Sequence, residues 1–511
     1  MFRVALDQSS AHALHIVCCS ARSVGRRPSV GRIIGSRPLS HHRLPPHERI
    51  RILEVSSPDV DPHRRKQFVT VLDDRLPGGW KREPYQPDGA NGEAPVPHQG
   101  HTFWYHNGLK HFLPAQYPHS VAQGYASYAA YSFGASVAGS AAMVLSTQTL
   151  LLAVGVVGSG PGQASVLAGA LNWVLKDGVG QLGGVLYASF LGRTRRFDAN
   201  PKRWRMVAAL CLDLGTLLEI LSPYATQTSA SLVLPLACVA NVLKNMGFLT
   251  ASASRASLHQ AMALKANLGD VTAKAGSQAT AAGLGGTSLG IGISTFLSSS
   301  ASVETYVVAF CLLSMIHQVG NYLSVRSVPL SHFNNQRLHI LLEDYCRQLD
   351  VHDNDRQVVN PKALTPQQVA AQESILPWVS DSQSGASQSW LVIGARLSAL
   401  APNGGTELRQ LFQTLSRQEY LVNKQDNGCI LVTFSSKARG QDVLQGMLHA
   451  YMLNHHFGKS MAGADAVAKS LVLVEHHMPR FVDNLEKKGW KLGSESFIIE
   501  PPEATRYSVE G

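Results

Sequence analysis

The chain has 511 residues, a formal net charge of +10 and a hydrophobic content of 45%, which is ordinary for a globular protein. This length is enough for two folded parts with tails. Much of the basic excess lies in the N-terminal tail and in one loop, which argues against a nucleic-acid-binding face. The 7 cysteines show neither paired spacing nor a C-x-x-C motif, so metal binding and redox chemistry are not indicated.

Residues 1–47 have the composition of an organelle transit peptide. They contain many serines, one acidic residue before His47, Asp7, and these arginines: Arg3, Arg22, Arg26, Arg27, Arg32, Arg37 and Arg43. The apolar stretch at 11–19 is too short for a secretory signal and is interrupted by two histidines. We therefore expect import into a mitochondrion or a plastid, which the composition does not separate; a disordered basic tail is the alternative.

Residues 48–105 are rich in proline and glycine and are predicted to form a linker with turns. In the central region, 106–330, runs without Asp, Glu, Lys or Arg span 111–175, 220–243, 275–303 and 305–325. About 20 apolar helical residues cross a hydrocarbon core, so these runs are long enough to span a bilayer. We predict a multi-helix, membrane-embedded core with turns at 193–202 and 222–229. A soluble bundle with apolar inner helices is the alternative.

The segment 193–205 is the most basic part of the central region. A membrane core would place it on the positive side of the bilayer or against lipid phosphates. A solvated loop followed by a helix start at Asn200-Pro201 is equally compatible with the same residues.

After residue 330 the pattern predicts an amphipathic helix at 335–350 within a connecting region, 331–389, whose polar part at 364–388 is a flexible linker. A small α+β domain is predicted at 390–505. Its strands are expected at 391–397, 420–422, 429–434 and 496–499, and its helices at 407–416, 438–453 and 465–488. Trp490 is predicted to be a core residue, with an interface anchor as the alternative.

Several short sequence motifs resemble those of the root UVB-sensitive family, and they follow one another along the chain in the family's order. They are Phe112-Leu113-Pro114 with Tyr117-Pro118, Trp173-Val174-Leu175-Lys176-Asp177-Gly178, Glu219 with Ser222-Pro223, Asn241-Val242-Leu243-Lys244, Asp270-Val271-Thr272-Ala273-Lys274 with Ser277-Gln278, and Asn321-Tyr322-Leu323-Ser324-Val325-Arg326-Ser327-Val328. The resemblance covers the central region and residues 481–490.

This resemblance implies a process rather than a reaction. Plant members of the family are associated with early seedling development, ultraviolet-B sensing, vitamin B6 homeostasis and auxin transport. A plastid location and pairing between family members are also reported for them. For this chain the resemblance therefore implies a plastid or mitochondrial membrane and another family member as a partner.

Two patterns are shared with enzymes. Residues 178–183 fit G-x-G-x-x-G, and residues 286–290 fit the G-x-S-x-G nucleophile elbow, but both motifs need a preceding strand that the sequence does not indicate. We interpret them as helix-packing glycines, with Gly180 and Gly184 on one face and Gly286 and Gly290 on another. No catalytic residue is predicted.

The ionisable residues within the apolar region are the candidate functional residues, because a charge in a low-dielectric setting must be paired or face water. They are Lys176, Asp177, Asp213, Glu219, Lys244, Arg255, His259, Asp270 and Lys274. Asp270 and Lys274 have the spacing of a helical ion pair, and Arg255 and His259 share a face. The competing interpretation is that these residues form structural ion pairs or lie at helix ends.

Three functions are compatible with these residues. In a carrier they would line a polar path, with Lys176, Lys244 or Arg255 meeting an anionic group such as a phosphate. In a scaffold the helices would anchor the chain while the C-terminal domain binds a partner. A pyridoxal phosphate enzyme, with Lys244 or Lys274 as the Schiff-base lysine, is least favoured because no phosphate-binding loop is recognisable. We predict a non-enzymatic organelle membrane protein without a metal or resident cofactor.

Overall fold

A computed structural model describes four strands within 18–84 and then residues 109–157, 163–191, 196–297, 302–355, 361–379, 390–457, 463–499 and 505–509. The chain divides into two units, 1–105 and 106–511. The predicted transit peptide lies outside the described residues except for the strand Cys18–Cys19.

The N-terminal unit contains an antiparallel sheet in the order β1 (Cys18–Cys19), β2 (Ile50–Glu54), β3 (Phe68–Leu72) and β4 (Trp80–Pro84). Three of these strands lie in the range that was predicted to be a linker. The short apolar runs at β2 and β3 contain β-branched residues, which favour the extended backbone. The described strands of this range therefore form an antiparallel sheet.

The described part of the second unit begins with a helical region. Its helices are α1 (Tyr125–Val157), α2 (Gln163–Leu191), α3 (Arg196–Ala199), α4 (Pro201–Ile220), α5 (Ser222–Thr228), α6 (Val233–Met262), α7 (Leu268–Leu297) and α8 (Val303–Arg326). Within the described residues, 3 helices are long and apolar enough to cross a membrane, and up to 4 spans result if α4 and α5 form one bent span. The prediction of a mainly helical core with candidate membrane spans is confirmed.

The turn predicted at 222–229 is wrong, because these residues form helix α5. It follows α4 directly and is bent from it by 42°. Pro223 lies in the first turn of α5. Proline has no backbone N–H to continue the hydrogen bonds of a preceding helix but is tolerated where a new helix begins.

Within the described part of this helical region, the six long helices form two groups of three. In bundle A, α1 packs along α7 and α8; in bundle B, α6 packs along α2 and α4. Glycines allow the backbones to approach closely within each bundle. A Cβ atom on Gly290 of α7 would lie 2.8 Å from the Ala141 carbonyl oxygen of α1, and one on Gly215 of α4 would lie 2.6 Å from the Ala240 carbonyl oxygen of α6.

The C-terminal region is an α+β domain. Its elements are β5 (Phe333–Asn334), α9 (Asn335–Asp355), α10 (Pro366–Gln372), β6 (Leu391–Ile393), α11 (Leu397–Leu400), α12 (Gly405–Thr414), β7 (Tyr420–Lys424), β8 (Ile430–Ser435), α13 (Gly440–His456), α14 (Ala464–Lys487), β9 (Phe497–Ile498) and β10 (Arg506–Tyr507). Strand β8 pairs in parallel with β6 and β10 and antiparallel with β7. The last predicted strand, β9, instead pairs with β5. Trp490 is 4% exposed and stacks on Phe333 at 4.9 Å between ring centroids.

The C-terminal domain contacts one end of the helical bundles, which we call the domain end. Asn334 Nδ2 donates to the Ala199 carbonyl at 2.9 Å, and Arg203 donates to the Val379 carbonyl at 2.6 Å. Glu373 accepts hydrogen bonds from both Lys202 and Arg337. The flexible linker predicted at 364–388 is therefore wrong for residues 365–379, since α10 begins with a capping box at Thr365 and this segment is held against α4.

Candidate functional site

Polar side chains that are buried or, for Arg205, half-buried follow the interface between bundles A and B. We call this set the polar row, and it comprises Tyr128, Ser146, Arg205, Asp213, Glu219, Lys244, His259, His317 and Asn321. Helix α4 contributes one basic and two acidic members from three successive levels. Each level contacts a polar side chain of bundle A, so the row joins the two bundles.

At the level farthest from the C-terminal domain, Glu219 of α4 forms an ion pair with Lys244 of α6. The Ser146 hydroxyl of α1 donates to Glu219 Oε2 at 2.8 Å, and Lys244 Nζ donates to the same serine oxygen at 3.3 Å. The side chains of Lys244 and Glu219 are only 9% and 3% exposed. A buried pair of this kind is held by the combination of charge and hydrogen bonds, since either charge alone would be costly to desolvate.

At the middle level, Asp213 of α4 is surrounded by three donors of α8. His317 Nδ1 lies 2.8 Å from Asp213 Oδ1, while Ser314 Oγ and Gln318 Nε2 each donate to Oδ2 at 2.6 Å. A Cβ atom on Gly139 of α1 would lie 3.2 Å from the imidazole ring, so this glycine gives the ring its space. Both oxygens of the Asp213 carboxylate therefore contact side chains of bundle A.

Near the domain end, Arg205 Nε donates to Asn321 Oδ1 at 3.0 Å, again joining α4 to α8. His259 of α6 lies 3.5 Å from the Tyr128 hydroxyl of α1 and 3.2 Å from the Thr272 hydroxyl of α7. Arg255, one turn before His259, is half-buried. The imidazole therefore contacts two helices of bundle A at once.

Lys176 and Asp177 lie within bundle B. Lys176 Nζ is 2.9 Å from Asp177 Oδ1 and 4.4 Å from the centre of the Trp173 ring. Asn241 of α6 donates to Asp177 Oδ1 at 3.2 Å and to the Lys176 carbonyl at 3.1 Å. These contacts tie α2 to α6 and place the two residues outside the interface between the bundles.

The ion pair expected between Asp270 and Lys274 is wrong: among the described residues no salt bridge joins them. Asp270 Oδ2 accepts from the Ala115 backbone N–H at 2.6 Å, and Lys274 donates to the His111 carbonyl at 2.8 Å. Both side chains thus hold the segment before α1 against α7. The helical spacing was right, but tertiary partners compete for each group.

The two patterns shared with enzymes lie inside helices. Residues 178–183 are within α2 and residues 286–290 are within α7, so neither forms a strand-to-helix turn. Lys244 Nζ contacts Glu219 and Ser146 rather than a phosphate-binding loop, which does not fit a pyridoxal phosphate Schiff base. Across the described residues, no group of three or more His, Cys, Asp or Glu side chains is arranged to hold a metal ion.

Sequence reasoning missed five members of the polar row: Tyr128, Ser146, Arg205, His317 and Asn321. Four of them are uncharged or weakly basic residues in runs selected for having no charge, and Arg205 was grouped with the basic turn. A usable signal was present, because polar residues at 314, 317, 318 and 321 repeat with helical spacing on one face of α8.

Two family models match separate parts of the chain. Residues 98–349 match the vitamin B6 photo-protection and homoeostasis domain, and residues 362–497 match the C-terminal region of root UVB sensitive proteins. The chain belongs to the root UVB sensitive family. Two of the motifs that resemble this family contact each other in the structure. Glu219 belongs to one of them and Lys244 to the other, and the two side chains form an ion pair.

Curated relatives of the root UVB sensitive family match between 45% and 75% of the chain in the three cases that follow. Protein root UVB sensitive 3 of Arabidopsis thaliana is 29% identical over 75% of this chain and 82% of its own length. Protein root UVB sensitive 2 of the same plant, whose name includes "chloroplastic", is 28% identical over 75% of this chain and 81% of its own. RUS family member 1 of Dictyostelium discoideum is 31% identical over 45% of this chain and 42% of its own. No solved structure matches the chain.

Proposed function

We propose that the chain is a non-enzymatic carrier in the membrane of a plastid or mitochondrion, and that the polar row lines its ligand path. The observation that carries this proposal is the burial of paired ionisable residues between two helix bundles, each of which contains candidate membrane spans. Charges in a membrane interior are costly and mark ligand or ion pathways when they face the middle of a helical assembly.

The bend between α4 and α5 supports the same proposal. Glu219 is the next-to-last residue of α4, directly before the break. Secondary transporters commonly build their ligand sites where a membrane helix is interrupted, because the broken helix frees backbone and side-chain groups for the ligand. The Glu219 carbonyl is here bonded by the hydroxyls of Ser222 at 2.6 Å and Thr149 at 3.4 Å.

The ligand class follows from the charges of the row and from the family. Arg205 and Lys244 provide positive charge, and Asp213 and Glu219 provide negative charge. A ligand with both acidic and basic groups can exchange partners with such pairs. Vitamin B6 vitamers, which carry a pyridine nitrogen, a phenolic hydroxyl and in some forms a phosphate, fit this requirement and agree with the homoeostasis domain that the chain matches.

The first test is carbonate extraction of organelles that contain the full-length chain, followed by uptake of labelled pyridoxine and pyridoxal phosphate into proteoliposomes. We expect retention in the membrane pellet and uptake that Asp213→Asn reduces at least tenfold. Asp483→Asn is the matched control, since Asp483 pairs with Lys487 on the exposed surface of the C-terminal domain. Release into the supernatant, or equal uptake by both variants, would contradict the proposal.

A scaffold function is the second candidate, because α2 presents an apolar face outside the bundles. The large apolar side chains exposed on this face of α2 include Leu171, Val174, Leu175, Leu182, Val185, Leu186 and Phe190. In the carrier these side chains would meet lipid. In a scaffold they would bind another family member, and release by carbonate with co-purification of that member would favour this function.

A further inference from the structure

The directions of the six long helices are fixed by their contacts. Helices α1 and α7 run parallel, because Gly286 faces Val137 and Gly290, four residues later, faces Ala141. Helices α2 and α6 also run parallel. Gly180 faces Asn241, and Gly184 is closest to Leu249.

The remaining close pairs are antiparallel. On α4 and α6, Gly215 faces Ala240, whereas Gly247 faces Ala208. On α1 and α8, Gly139 faces His317, and Gly320 faces the earlier Tyr131. The long helices therefore alternate in direction along the chain, with α1, α4 and α7 starting at the domain end.

The helices of the first half, α1, α2 and α4, correspond in order to those of the second half, α6, α7 and α8. When both members of a contacting pair are replaced by their counterparts, another contacting pair results. The pair α1–α7 becomes α6–α2, and the pair α1–α8 becomes α6–α4. The contact between α4 and α8 is exchanged with itself, whereas the contact of α1 with α4 has no comparable counterpart between α6 and α8. Every direction is reversed by the exchange.

We infer that the central region is an inverted-topology repeat of three plus three helices, whose pseudo-two-fold axis passes between α4 and α8, and that bundles A and B rock about this axis. The helix counterparts α2 and α7 also share the sequence Leu-Gly-Gly, at 182–184 and 284–286. Gly184 faces α6 and Gly286 faces α1, so the last glycine plays the same packing role in each half.

The helix contacts within each bundle differ from the interface between the bundles, and the difference is compatible with rocking. Glycine contacts within each bundle bring backbones together and make each bundle a rigid body. The middle of the interface between the bundles is formed by polar side chains, with Asp213 and its three α8 partners on the axis. In inverted repeats of transporters, the ligand site lies at this interface and is reached alternately from either side.

Apolar clusters close the polar row at both ends. At the domain end, Tyr125 of bundle A packs in one cluster with Met206 and Leu258 of bundle B. At the other end, Ile220 of bundle B packs with Leu145 and Phe310 of bundle A. Rocking would open one cluster while the other stays closed. This inference rests on the proposed carrier function for its ligand, but the motion can be measured without one.

The test compares two cysteine pairs at the end opposite the C-terminal domain, in the full-length chain with its natural cysteines replaced. Tyr224→Cys lies on α5, the bent continuation of α4 of bundle B, and Glu304→Cys lies on α8 of bundle A; the two are in reach because the Tyr224 hydroxyl donates to Glu304. Gln148→Cys with Ser294→Cys is the matched control within bundle A, where the Ser294 hydroxyl donates to Gln148. Spin labels on each pair report the distance in liposomes.

We expect two distance populations for the pair between bundles and one for the control pair. A reversible cross-link of the pair between bundles should abolish uptake, and one within bundle A should leave it intact. A single population for both pairs would overturn the rocking motion. Two populations without uptake of any vitamer would support the motion and remove only the carrier function.

Discussion

At the residue scale, the described structure contains three deeply buried carboxylates with basic partners: Asp213, Glu219 and Glu373. The first two join the helix bundles, whereas the third joins bundle B to the C-terminal domain. Each is satisfied by two or more donors, as a charge removed from water requires. Removal of one partner leaves the other charge buried and unpaired, so substitutions at these positions should have large effects on stability.

Glu219→Gln should destabilise the helical region by ~3–5 kcal/mol, because it leaves the Lys244 ammonium buried without an opposite charge. The exchanged pair, Glu219→Lys with Lys244→Glu, should recover most of this loss. Thermal unfolding in detergent measures both effects. If the single variant unfolds at the wild-type temperature, the ion pair does not form in the folded protein.

The exchanged pair also separates structure from function. A purely structural ion pair should keep uptake at the wild-type level after exchange. A pair that contacts the ligand should restore stability without restoring uptake, since the two charges then occupy reversed positions along the path.

Glu373 should make the attachment of the C-terminal domain sensitive to acid. Burial raises its pKa, but the nearby Arg337 and Lys202 outweigh this and lower the pKa from 4.5 to about 2. A depressed pKa stabilises the folded state above the unfolded value, so this contribution is lost as the pH falls from about 4.5 towards about 2. Limited proteolysis between 365 and 379 against pH measures the release.

Glu373→Gln should expose the same segment to proteolysis already at neutral pH and remove the acid dependence. Glu343→Gln is a suitable control, because Glu343 lies on α9 in a more exposed ion pair with Arg347. Acid release that persists in Glu373→Gln would assign the effect to another group.

At the element scale, the composition of α7 explains how it can pack so closely. Gly286 and Gly290 face α1, while their neighbours Gly285 and Gly292 have open space where a Cβ would lie. Only one face of the helix therefore needs glycine for packing. On the other face glycine only adds conformational freedom to the unfolded chain.

This asymmetry predicts opposite effects for adjacent substitutions. Gly286→Ala should lower the melting temperature, because its Cβ would overlap the Val137 carbonyl oxygen of α1. Gly285→Ala should be neutral or stabilising by up to ~1 kcal/mol, as for glycine to alanine in an open helix position. Equal destabilisation by both would show that α7 does not pack on α1 through this face.

The sequence predicted some elements well and others poorly, for physical reasons. The helices and hairpin of the C-terminal domain have clear periodicity and turn residues, so they were located to within a few residues. The α4–α5 break was taken for a turn, because proline and small polar residues mark a helix start and a turn alike. The docked segment around Glu373 looked like a linker, since its partners lie at 202 and 337.

At the scale of the whole molecule, the long helices alternate in direction, so successive connections lie alternately at the domain end and at the opposite end of the bundles. The first turns of α4 carry Lys202, Arg203 and Arg205, Lys265 follows α6, and α8 ends at Arg326; all belong to the domain end. At the other end, the described connection 221–232 contains no Lys or Arg. Basic segments of membrane proteins stay on the side from which insertion begins.

The C-terminal domain should therefore remain on that side of the membrane. In right-side-out vesicles of a bacterial cytoplasmic membrane that contains the full chain, an impermeant maleimide should label Ser229→Cys and not Leu264→Cys. Both residues are exposed, Ser229 at the far end and Leu264 at the domain end. The reverse labelling would contradict the orientation, and equal labelling of both would contradict a spanning arrangement.

The family, the helical core and the C-terminal α+β domain could be predicted from the sequence, because charge-free runs, periodicity and family motifs are local features of the chain. The same reasoning identified Asp213, Glu219, Lys244 and His259 as unusual charges in an apolar setting. Their partners, the grouping of the helices into bundles A and B, and the place of Lys176 outside the polar row depend on tertiary packing. Partners such as Asp213 and His317 are 104 residues apart, and only helix packing brings such distant positions together.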